Sequence, residues 1–336
     1  MSENDMVDPE IKNLLDRFGI DHEFGFLLKD PLIKLSEKYH LWHELVDDLP
    51  QLIQCKNFDQ KIKNLPLIDT NQIRTYRELR LAHLLLSTIA SGYIWADGPQ
   101  KPKLLLPKQI AIPLYEVSQA VGLKPIICHA SACLANYQTV NQISGHQRFK
   151  ADDMKLIAAR FIKHRGNEWF FLVAAQVCYI YLVEYELAPA HIAILIACHH
   201  LKLSENTLIT IRNSLLNASD TMKRMNENLP PEVFYRDLRV FLSGVELEPQ
   251  QLSGASAAQS SSLHLIDAFL GIKHSGSEAI FLAEQCAYMP KEHCDFIEWV
   301  RLRRAQIMDF RHDKYYNEAI DALKLIRSQH FALVSL

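Results

Sequence analysis

Helical periodicity runs through almost the whole of this chain, and it constrains the fold more than any single motif does. Apolar residues recur at steps of three and four, and no stretch shows the sustained alternation of apolar and polar residues that is typical of strands. Only 11 of the 336 residues are Gly and 14 are Pro, which favours helices joined by short loops. The sequence therefore predicts an all-α protein.

The predicted helices fall into two groups, separated by a polar stretch at residues 142–153. We place the domain boundary there, which predicts a small N-terminal helical domain, residues 1–145, and a larger C-terminal helical domain, residues 146–336. The predicted helical segments are 10–18, 32–49 (ended by Pro50), 75–90, 110–121, 131–140, 153–164, 168–186, 191–200, 204–227, 232–240, 263–272, 291–304 and 315–334.

Charge and composition argue against several classes of partner and location. The net charge is -3 with no block of Lys or Arg, so we expect neither nucleic acid nor an anionic membrane as a partner. The clearest uncharged apolar run, residues 169–183, is too short to span a membrane comfortably. The N-terminus is polar and acidic, unlike a secretory signal. Seven scattered Cys residues without a CxxC pair are typical of a reduced, cytoplasmic protein.

The most informative single residue is His330, near the end of the last predicted helix. The residues at helical spacing before it form one apolar face, made of Tyr316, Ile320 (or Ala319), Leu323 and Ile326. A His on such a face points into a core, where its ring nitrogens need partners. The partner is either a backbone carbonyl or a metal, in particular a haem iron. Other His residues in apolar helical surroundings are His83, His200 and His264.

Two groupings of His and Cys are too incomplete for a structural zinc site. His129 and Cys133 are four residues apart, but no second pair of this kind accompanies them. The adjacent residues 198–200, Cys-His-His, face different sides of a helix. Because a structural zinc ion needs about four ligands, we do not expect one here.

Three other segments carry residue types suited to binding. Residues 168–174 are aromatic and apolar, for which core packing is the simplest explanation. Arg239 follows Phe234 and Tyr235 by four or five residues, and it either binds a carboxylate or forms an ordinary salt bridge. Residues 254–261 are small, which either lets a flat ligand approach the backbone or makes a flexible linker. This last segment lacks the Lys and the Gly spacing of a phosphate-binding loop.

Taken in order, these segments and His330 resemble indoleamine 2,3-dioxygenase, a family of haem enzymes that open the indole ring of tryptophan. The resemblance extends from roughly residue 75 to the end of the chain. Shorter matching motifs lie at 91–95, 106–107, 111–113, 117–119, 134–137 and 289–290.

The resemblance implies that haem b is bound in the larger domain. His330 matches the proximal iron ligand, and Arg327 matches an Arg near the haem propionates. Asp267 matches an acidic residue on the proximal side, which either pairs with such an Arg or supports the iron-ligating His from its second coordination shell. The other positions that match haem contacts are Leu263 and, in the small-residue loop over the haem edge, Ser256 and Ala257.

The resemblance also implies a distal pocket for the substrate. Arg239 matches the anchor of the amino-acid carboxylate, and His129 stands where animal members have a Tyr. These two are the candidate catalytic residues, although His129 either hydrogen-bonds the indole N–H or bound oxygen, or caps the helix that follows it. Ala174 stands where animal members have a Ser. The predicted substrate contacts besides Arg239 are Phe170, Ala174, Cys133, Phe234, Ser256 and Ala257.

The implied activity is cleavage of the indole C2–C3 bond of L-tryptophan, or of a related indole, to an N-formylkynurenine-type product in tryptophan catabolism. The partners are then the indole, dioxygen and an electron donor that keeps the iron ferrous. Two alternatives stay open: a haem mono-oxygenase acting on another indole, and a non-catalytic oxygen carrier or sensor. The family usually continues after the proximal His with a Gly- and Thr-rich loop, whereas this sequence ends six residues after His330. We expect that the loop lies outside this sequence or that the site closes differently.

Overall fold

The computed structural model describes residues 8–140, 150–176, 184–247, 250–308 and 310–334. The α-helices are α1 (Pro9–Phe18), α2 (His40–Asp47), α3 (Leu49–Cys55), α4 (Phe58–Lys63), α5 (Tyr76–Trp95), α6 (Lys108–Val121), α7 (His129–Ala132), α8 (Arg165–Gln176), α9 (Glu184–His200), α10 (Glu205–Met222), α11 (Pro231–Val233), α12 (Ser261–Leu270), α13 (Gly276–Gln285), α14 (Lys291–Arg304) and α15 (Lys314–Val334). A π-helical turn covers Phe234–Leu238, and 3-10 turns cover Glu37–Tyr39, Ala151–Asp153, Lys223–Glu227, Arg239–Leu242, Ala257–Gln259 and Cys286–Tyr288.

Strands make only a minor contribution to the structure. β1 (Gln138–Thr139) pairs antiparallel with β2 (Met154–Lys155), and β3 (Val245–Leu247) pairs antiparallel with β4 (Gln250–Leu252). Within the described ranges each pair forms a separate two-stranded sheet. The predicted all-α class is therefore confirmed.

Helix α5 is the centre of the N-terminal half. Thr75 caps it, because its hydroxyl accepts a hydrogen bond from the backbone N–H of Glu78 while the Glu78 carboxylate accepts one from the backbone N–H of Thr75. Every residue from 80 to 94 is buried, including the polar residues Arg80 and His83, so this part of the helix is enclosed on all sides. α6 and α2 pack against it. Gly92 makes room for Leu49, since a Cβ at Gly92 would lie 2.6 Å from the Cδ1 atom of Leu49.

In the C-terminal half, α10 packs between α9 and α15, and α12 lies against α14. The N-terminal helix α1 also packs on α14, where the ring centroids of Phe18 and Phe296 are 5.1 Å apart.

The boundaries of α12 are set by its caps. The Ser260 hydroxyl accepts a hydrogen bond from the backbone N–H of Leu263, and Gly271 ends the helix in the left-handed conformation with φ of 74°.

The predicted helix at 32–49 is wrong at both ends. Helical turns begin only at Glu37, and α2 starts at His40. Pro50 does not end this helical stretch but lies in the first turn of α3. Proline fits there because a backbone N–H in the first turn has no helical acceptor.

Two further predicted helices, at 131–140 and 153–164, are also wrong. α7 ends early in the first of these segments, and the second forms β2 and an irregular stretch. The side chains of Asn136 and Asn167 bond to backbone groups of residues 158–161 at 2.7 to 2.8 Å. These side chains satisfy backbone groups that a helix would otherwise pair internally.

The predicted helix at 168–186 is observed in part, as the end of α8 and the start of α9, and the residues between them lie outside the described ranges. The domain boundary at 145 also lies outside these ranges and stays a prediction. Helices α3, α4 and α13 were not predicted. None of the helices in the described ranges combines the length and apolarity needed to cross a membrane.

His83, in the middle of α5, makes the folded state sensitive to acid. Burial lowers the pKa of its imidazole to about 4, from an ordinary value of 6.5. As the pH falls, the unfolded chain therefore binds this proton before the folded protein does. The contribution of neutral His83 to the free energy of unfolding is fully present above about pH 6.5 and is lost as the pH falls towards about 4. Between about pH 7.5 and pH 5, we expect this group alone to lower the free energy of unfolding by about 2 kcal/mol.

Chemical denaturation at these two pH values measures the effect. His83→Gln should lose about 2 kcal/mol less on acidification than the wild type does. The control is His200→Gln, which changes an exposed imidazole and should follow the wild type. An equal loss in the wild type and in His83→Gln would contradict the assignment.

Candidate functional site

Charged side chains next to His330 join α15 to α12. Arg327, one turn before His330, donates from Nη2 to both carboxylate oxygens of Asp267, at 2.7 and 2.6 Å. The Oδ2 atom of Asp267 also lies 2.7 Å from Nε2 of His274. The Asp267 side chain is only 13% exposed, so water screens this pair weakly. The predicted pairing of Arg327 with Asp267 is therefore observed, and it fixes the last turns of α15 against α12.

His330 lies at the end of the apolar face that the sequence predicts. Three residues earlier on this face are buried, namely Ala319, Leu323 and Ile326. The Nε2 atom of His330 is shielded from solvent, although the residue as a whole is partly exposed. Next to it, Gln329 accepts a hydrogen bond from the hydroxyl of Ser219 on α10 at 2.6 Å. The end of α15 is thus held on two sides and directs an imidazole nitrogen inward.

The small-residue loop before α12 is organised by the buried side chain of Gln259. Its Nε2 donates to the carbonyl oxygen of Gly254 at 2.9 Å and to Oε1 of Gln285 at 3.1 Å. Its Oε1 accepts from the backbone N–H of His129 at 3.1 Å and of Ser256 at 3.3 Å. One side chain thus orders the loop and holds His129 against it. Gln259 was not among the predicted site residues, although it lies inside the small-residue segment.

Replacing Gln259 with Ala is expected to lower the free energy of unfolding by about 2–4 kcal/mol, because buried polar groups lose their partners. Denaturation in urea measures the change. Gln251→Ala is the matched control, since Gln251 is an exposed Gln of the neighbouring strand. It should change stability by less than about 0.5 kcal/mol. Similar losses in both variants would show that Gln259 has no special role.

The backbone of the same loop packs directly against the segment that follows Arg239. A Cβ atom at Gly254 would collide with the carbonyl oxygen of Leu242 and with the backbone of Ser243. A Cβ atom at Gly244 would in turn collide with the backbone of β4. Glycine is needed at both positions because the two stretches of backbone approach too closely for a side chain. The loop before α12 is therefore anchored to the Arg239 segment.

Phe170 and Phe234 form an aromatic pair with ring centroids 5.2 Å apart, and both are buried. Phe170 comes from α8, and Phe234 opens the π-helical turn. Such turns are rare and occur frequently at functional sites. Ala174, one helical turn after Phe170, is also buried and adds no hydroxyl group. The result is a buried apolar cluster with two aromatic rings in contact, which we call the aromatic wall.

Arg239 follows the π-helical turn directly and is exposed. Its guanidinium carbon lies 5.3 Å from the ring centroid of Tyr235. Arg236, in the same turn, pairs with Asp237 at 2.8 Å. Arg239 by contrast forms no salt bridge in the part of the chain that the structure describes, so the ordinary salt bridge is not observed there. Its guanidinium is available to a carboxylate from solution.

His129 is completely buried and is the first residue of α7. The N-cap position belongs to Cys128, so the interpretation of His129 as the cap of this helix is wrong. The backbone N–H of Cys133 donates to the carbonyl oxygen of His129 at 2.9 Å, and Cys133 is buried as well. The bond from His129 to Gln259 places this helix beside the small-residue loop.

The other His residues in apolar helical surroundings have ordinary partners or are exposed. Both ring nitrogens of His83 lie within 2.9 Å of a hydroxyl or carbonyl oxygen. The Nε2 atom of His264 lies 2.8 Å from a carbonyl oxygen of the small-residue loop. His200 is exposed. His330, the fourth candidate, has its Nε2 atom shielded from solvent at the end of α15.

The arrangement around His330 fits a haem group. An inward-facing imidazole nitrogen can ligate iron, a neighbouring guanidinium can meet a propionate, and a loop of small residues admits a flat ring system. The structure brings the predicted residues into three groups: His330 with Arg327 and Asp267; His129 and Cys133 with Ser256, Ala257 and, in the first turn of α12, Leu263; and Phe170, Ala174, Phe234 and Arg239. His274, which the sequence analysis missed, belongs to the first group.

Comparisons with known proteins identify the family. A family model described as Indoleamine 2,3-dioxygenase matches residues 14–336. Indoleamine 2,3-dioxygenase 2 of Homo sapiens is 33% identical over 347 residues, which cover 96% of this chain and 83% of that protein. A protein of Haliotis madaka named Myoglobin is 30% identical over 349 residues, covering 96% and 88%. An Indoleamine 2,3-dioxygenase of Aspergillus nanangensis is 30% identical over 365 residues, covering 95% and 85%. The predicted resemblance is confirmed, and the chain belongs to the indoleamine 2,3-dioxygenase family.

Proposed function

We propose that this protein is a haem-dependent dioxygenase that cleaves the indole C2–C3 bond of L-tryptophan, or of a related indole, to an N-formylkynurenine-type product. Family membership supports the reaction class. The substrate class is supported by one observation on Arg239. Its guanidinium has no salt bridge in the described ranges, and the residue directly follows the π-helical turn that contains Phe234. A cation for a carboxylate beside an aromatic wall for a ring suits an aromatic amino acid.

In this proposal, His330 holds the iron of haem b from the proximal side. Arg327 meets a haem propionate with the guanidinium nitrogens that Asp267 does not occupy. Asp267 keeps that guanidinium in place and ties it to α12. The bound haem supplies reactivity towards dioxygen that amino-acid side chains lack. The remaining haem contacts are Leu263, Ser256 and Ala257.

The distal residues bind the substrate and exclude water from it. Phe170 and Phe234 contact the indole ring, and Arg239 pairs with the carboxylate. Burial of the aromatic pair keeps this wall apolar, which strengthens the charged pair at its edge. The other proposed substrate contacts are Ala174, Cys133, Ser256 and Ala257.

We assign His129 as the polar side chain that contacts the indole ring of the substrate, where the reaction takes place. A neutral imidazole has one donor and one acceptor nitrogen, so it can orient an indole N–H group. The bond from its backbone to Gln259 fixes its position relative to the loop. Ala174 offers no hydroxyl that competes for this role.

Three further features complete the proposal. An electron donor keeps the iron ferrous, because an oxidised haem does not bind dioxygen. The protein acts in the cytoplasm, which the scattered Cys residues support. The haem-binding domain comprises residues 146–336, and residues 1–145 form the smaller domain.

A non-catalytic oxygen carrier is the second candidate, because two relatives, from Haliotis madaka and Haliotis diversicolor, are named Myoglobin. A carrier binds dioxygen without consuming an indole, so it needs no anchor for a carboxylate. The position of Arg239, beside the Tyr235 ring and directly after the π-helical turn that contains Phe234, therefore favours the enzyme.

Arg239→Ala is expected to weaken the apparent affinity for L-tryptophan by roughly tenfold to a few thousandfold, with the haem content unchanged. Arg239 is exposed without substrate, and the proposal has substrate binding remove its guanidinium from water. Truncating one partner of a charge pair desolvated in this way costs about 2–5 kcal/mol, and about 1.4 kcal/mol corresponds to a factor of ten. Turnover measured against substrate concentration gives the change in KM. Tryptamine, which lacks the carboxylate, should lose little affinity.

Arg236→Ala is the matched control, since Arg236 is an exposed Arg of the same turn that already pairs with Asp237. Both substrates should bind this variant nearly as they bind the wild type. Equal losses for tryptophan and tryptamine in Arg239→Ala would instead make Arg239 a structural residue.

A further inference from the structure

A cavity of about 400 Å³ lies between the N-terminal segment, the start of α5 and the start of α14. None of the residues that we assign to haem or indole lines it. Its volume is within the range of about 300–1,000 Å³ that is usual for small-molecule sites. The apolar part of its wall includes Leu15, Ile20, Phe26 and Leu27.

Arg80 places a buried positive charge in the wall of this cavity, since the residue lines it and is only 2% exposed. Nη1 donates to the hydroxyl of Tyr76 at 2.7 Å, and Nη2 donates to the carbonyl oxygen of Ala130 at 2.6 Å. The buried Nε has no hydrogen-bond partner, and no carboxylate pairs with the guanidinium, among the described residues. A buried charge without a counter-charge is costly, so an anion in the cavity supplies a missing partner.

The neighbouring imidazoles neither neutralise this charge nor add to it. Burial, helped by the positive charge of Arg80, holds the pKa of His293 well below its ordinary value, and His293 also lines the cavity. Burial lowers the pKa of His83 to about 4, and Arg80 contributes to this shift as well. Both rings are neutral near neutral pH, which leaves the Arg80 guanidinium as the charge inside the cavity.

The mouth of the cavity carries three carboxylates and one ammonium group, that of Lys29, so its net charge is negative. Asp16 and Glu292 line it, both are exposed, and neither forms a salt bridge in the described ranges. Glu292 lies over Gly19 at the end of α1, where a Cβ atom would be 3.6 Å from the Cβ atom of Glu292. A third carboxylate, Asp21, is already engaged by Lys29 at 3.4 Å and by backbone N–H groups. Two carboxylates at the mouth are therefore available to a cationic group.

We propose that this cavity binds an α-amino acid with an apolar side chain, at a site separate from that of the indole substrate. Its carboxylate pairs with Arg80, its ammonium group faces Asp16 and Glu292, and its side chain lies against Phe26. A simple anion is repelled at the acidic mouth, and a simple cation is repelled by Arg80. A zwitterion with an apolar part complements both charges and the wall between them.

The test titrates the ferric, haem-loaded protein with L-phenylalanine by calorimetry. It uses the Arg239→Ala background, which removes the proposed substrate anchor and keeps the two sites distinguishable. We expect a single equivalent to bind per chain. Phenethylamine, which lacks the carboxylate, and phenylpropanoate, which lacks the ammonium group, should each bind at least tenfold more weakly. No binding of L-phenylalanine, or equally tight binding of either analogue, would overturn the proposal.

Variants of the cavity identify the residues involved. Arg80→Met should abolish binding, but Arg80 also bonds to the Ala130 carbonyl oxygen, so two surface variants provide a test that does not perturb the core. Asp16→Asn and Glu292→Gln should each weaken L-phenylalanine binding at least threefold and leave phenylpropanoate binding equal or tighter. Asp153→Asn removes an exposed carboxylate outside the cavity and should change neither affinity. Unchanged L-phenylalanine affinity in both mouth variants would refute the proposal.

Discussion

His330→Ala is expected to abolish normal haem retention and, with it, the absorption spectrum of a histidine-ligated haem. The Nε2 atom of His330 is shielded from solvent at the end of α15, and alanine leaves the iron without its proximal ligand. Haem per chain after gel filtration, together with the Soret absorbance, measures the loss. Circular dichroism checks that the helical fold is retained.

His264→Ala is the control for removing a partly buried imidazole from the same region. Its Nε2 lies 2.8 Å from the carbonyl oxygen of Ala258, so it has a structural partner. This variant should keep its haem. In His330→Gly, added imidazole should restore part of the haem content, because the exogenous ring replaces the missing ligand. An unchanged Soret band in His330→Ala would show that the iron ligand lies elsewhere.

His129→Phe is expected to lower turnover by about 10²–10⁴-fold, which is the usual contribution of a positioned acid–base or orienting group. Phenylalanine keeps a planar ring in this fully buried position and removes both nitrogens. Haem occupancy and the mid-point of thermal unfolding should stay close to those of the wild type. The measurement is kcat with L-tryptophan at saturating substrate.

His129→Gln distinguishes a polar role from a packing role, since glutamine keeps a donor and an acceptor but loses the ring. It should recover part of the activity that His129→Phe loses. Normal turnover in His129→Phe would contradict the assignment. The polar group beside the substrate would then be water or the substrate itself.

The long helices were predictable because their signals are local. The capping pair of Thr75 and Glu78 marks the start of α5, and the apolar face from Ala319 to Ile326 marks α15 and aims it towards the core. His330 was identified from the same periodicity, one helical turn beyond Ile326. The family resemblance pointed to an acidic residue that pairs with Arg327, and the bond between Arg327 and Asp267 is observed. The proposed haem iron ligand, His330, stays a prediction.

The failures arose where distant side chains replace local hydrogen bonds. Residues 153–164 look helical in isolation, but Asn136 and Asn167 bond to their backbone and hold most of the segment in an irregular path. Pro50 looked like a terminator because the sequence does not distinguish the end of one helix from the first turn of the next. Both errors required tertiary information to correct.

In the candidate site, sequence patterns identified the residues with distinctive chemistry and missed those that hold them in place. Gln259 joins His129 and Gln285, which lie 130 and 26 residues away from it in the chain. His274 contacts Asp267 from the turn after α12. Neither residue stands out by composition or spacing, because a single polar side chain in a loop has many possible partners.

The dioxygenase reaction is tested most directly by supplying the ferrous, haem-loaded protein with L-tryptophan and isotopically labelled dioxygen, then identifying the products by mass spectrometry. We expect a product with an opened indole ring that carries both atoms of a single dioxygen molecule. A product with one labelled oxygen and an intact ring system would indicate a mono-oxygenase. Unchanged tryptophan together with reversible oxygen binding would indicate a carrier, and either result would contradict the proposed dioxygenase activity.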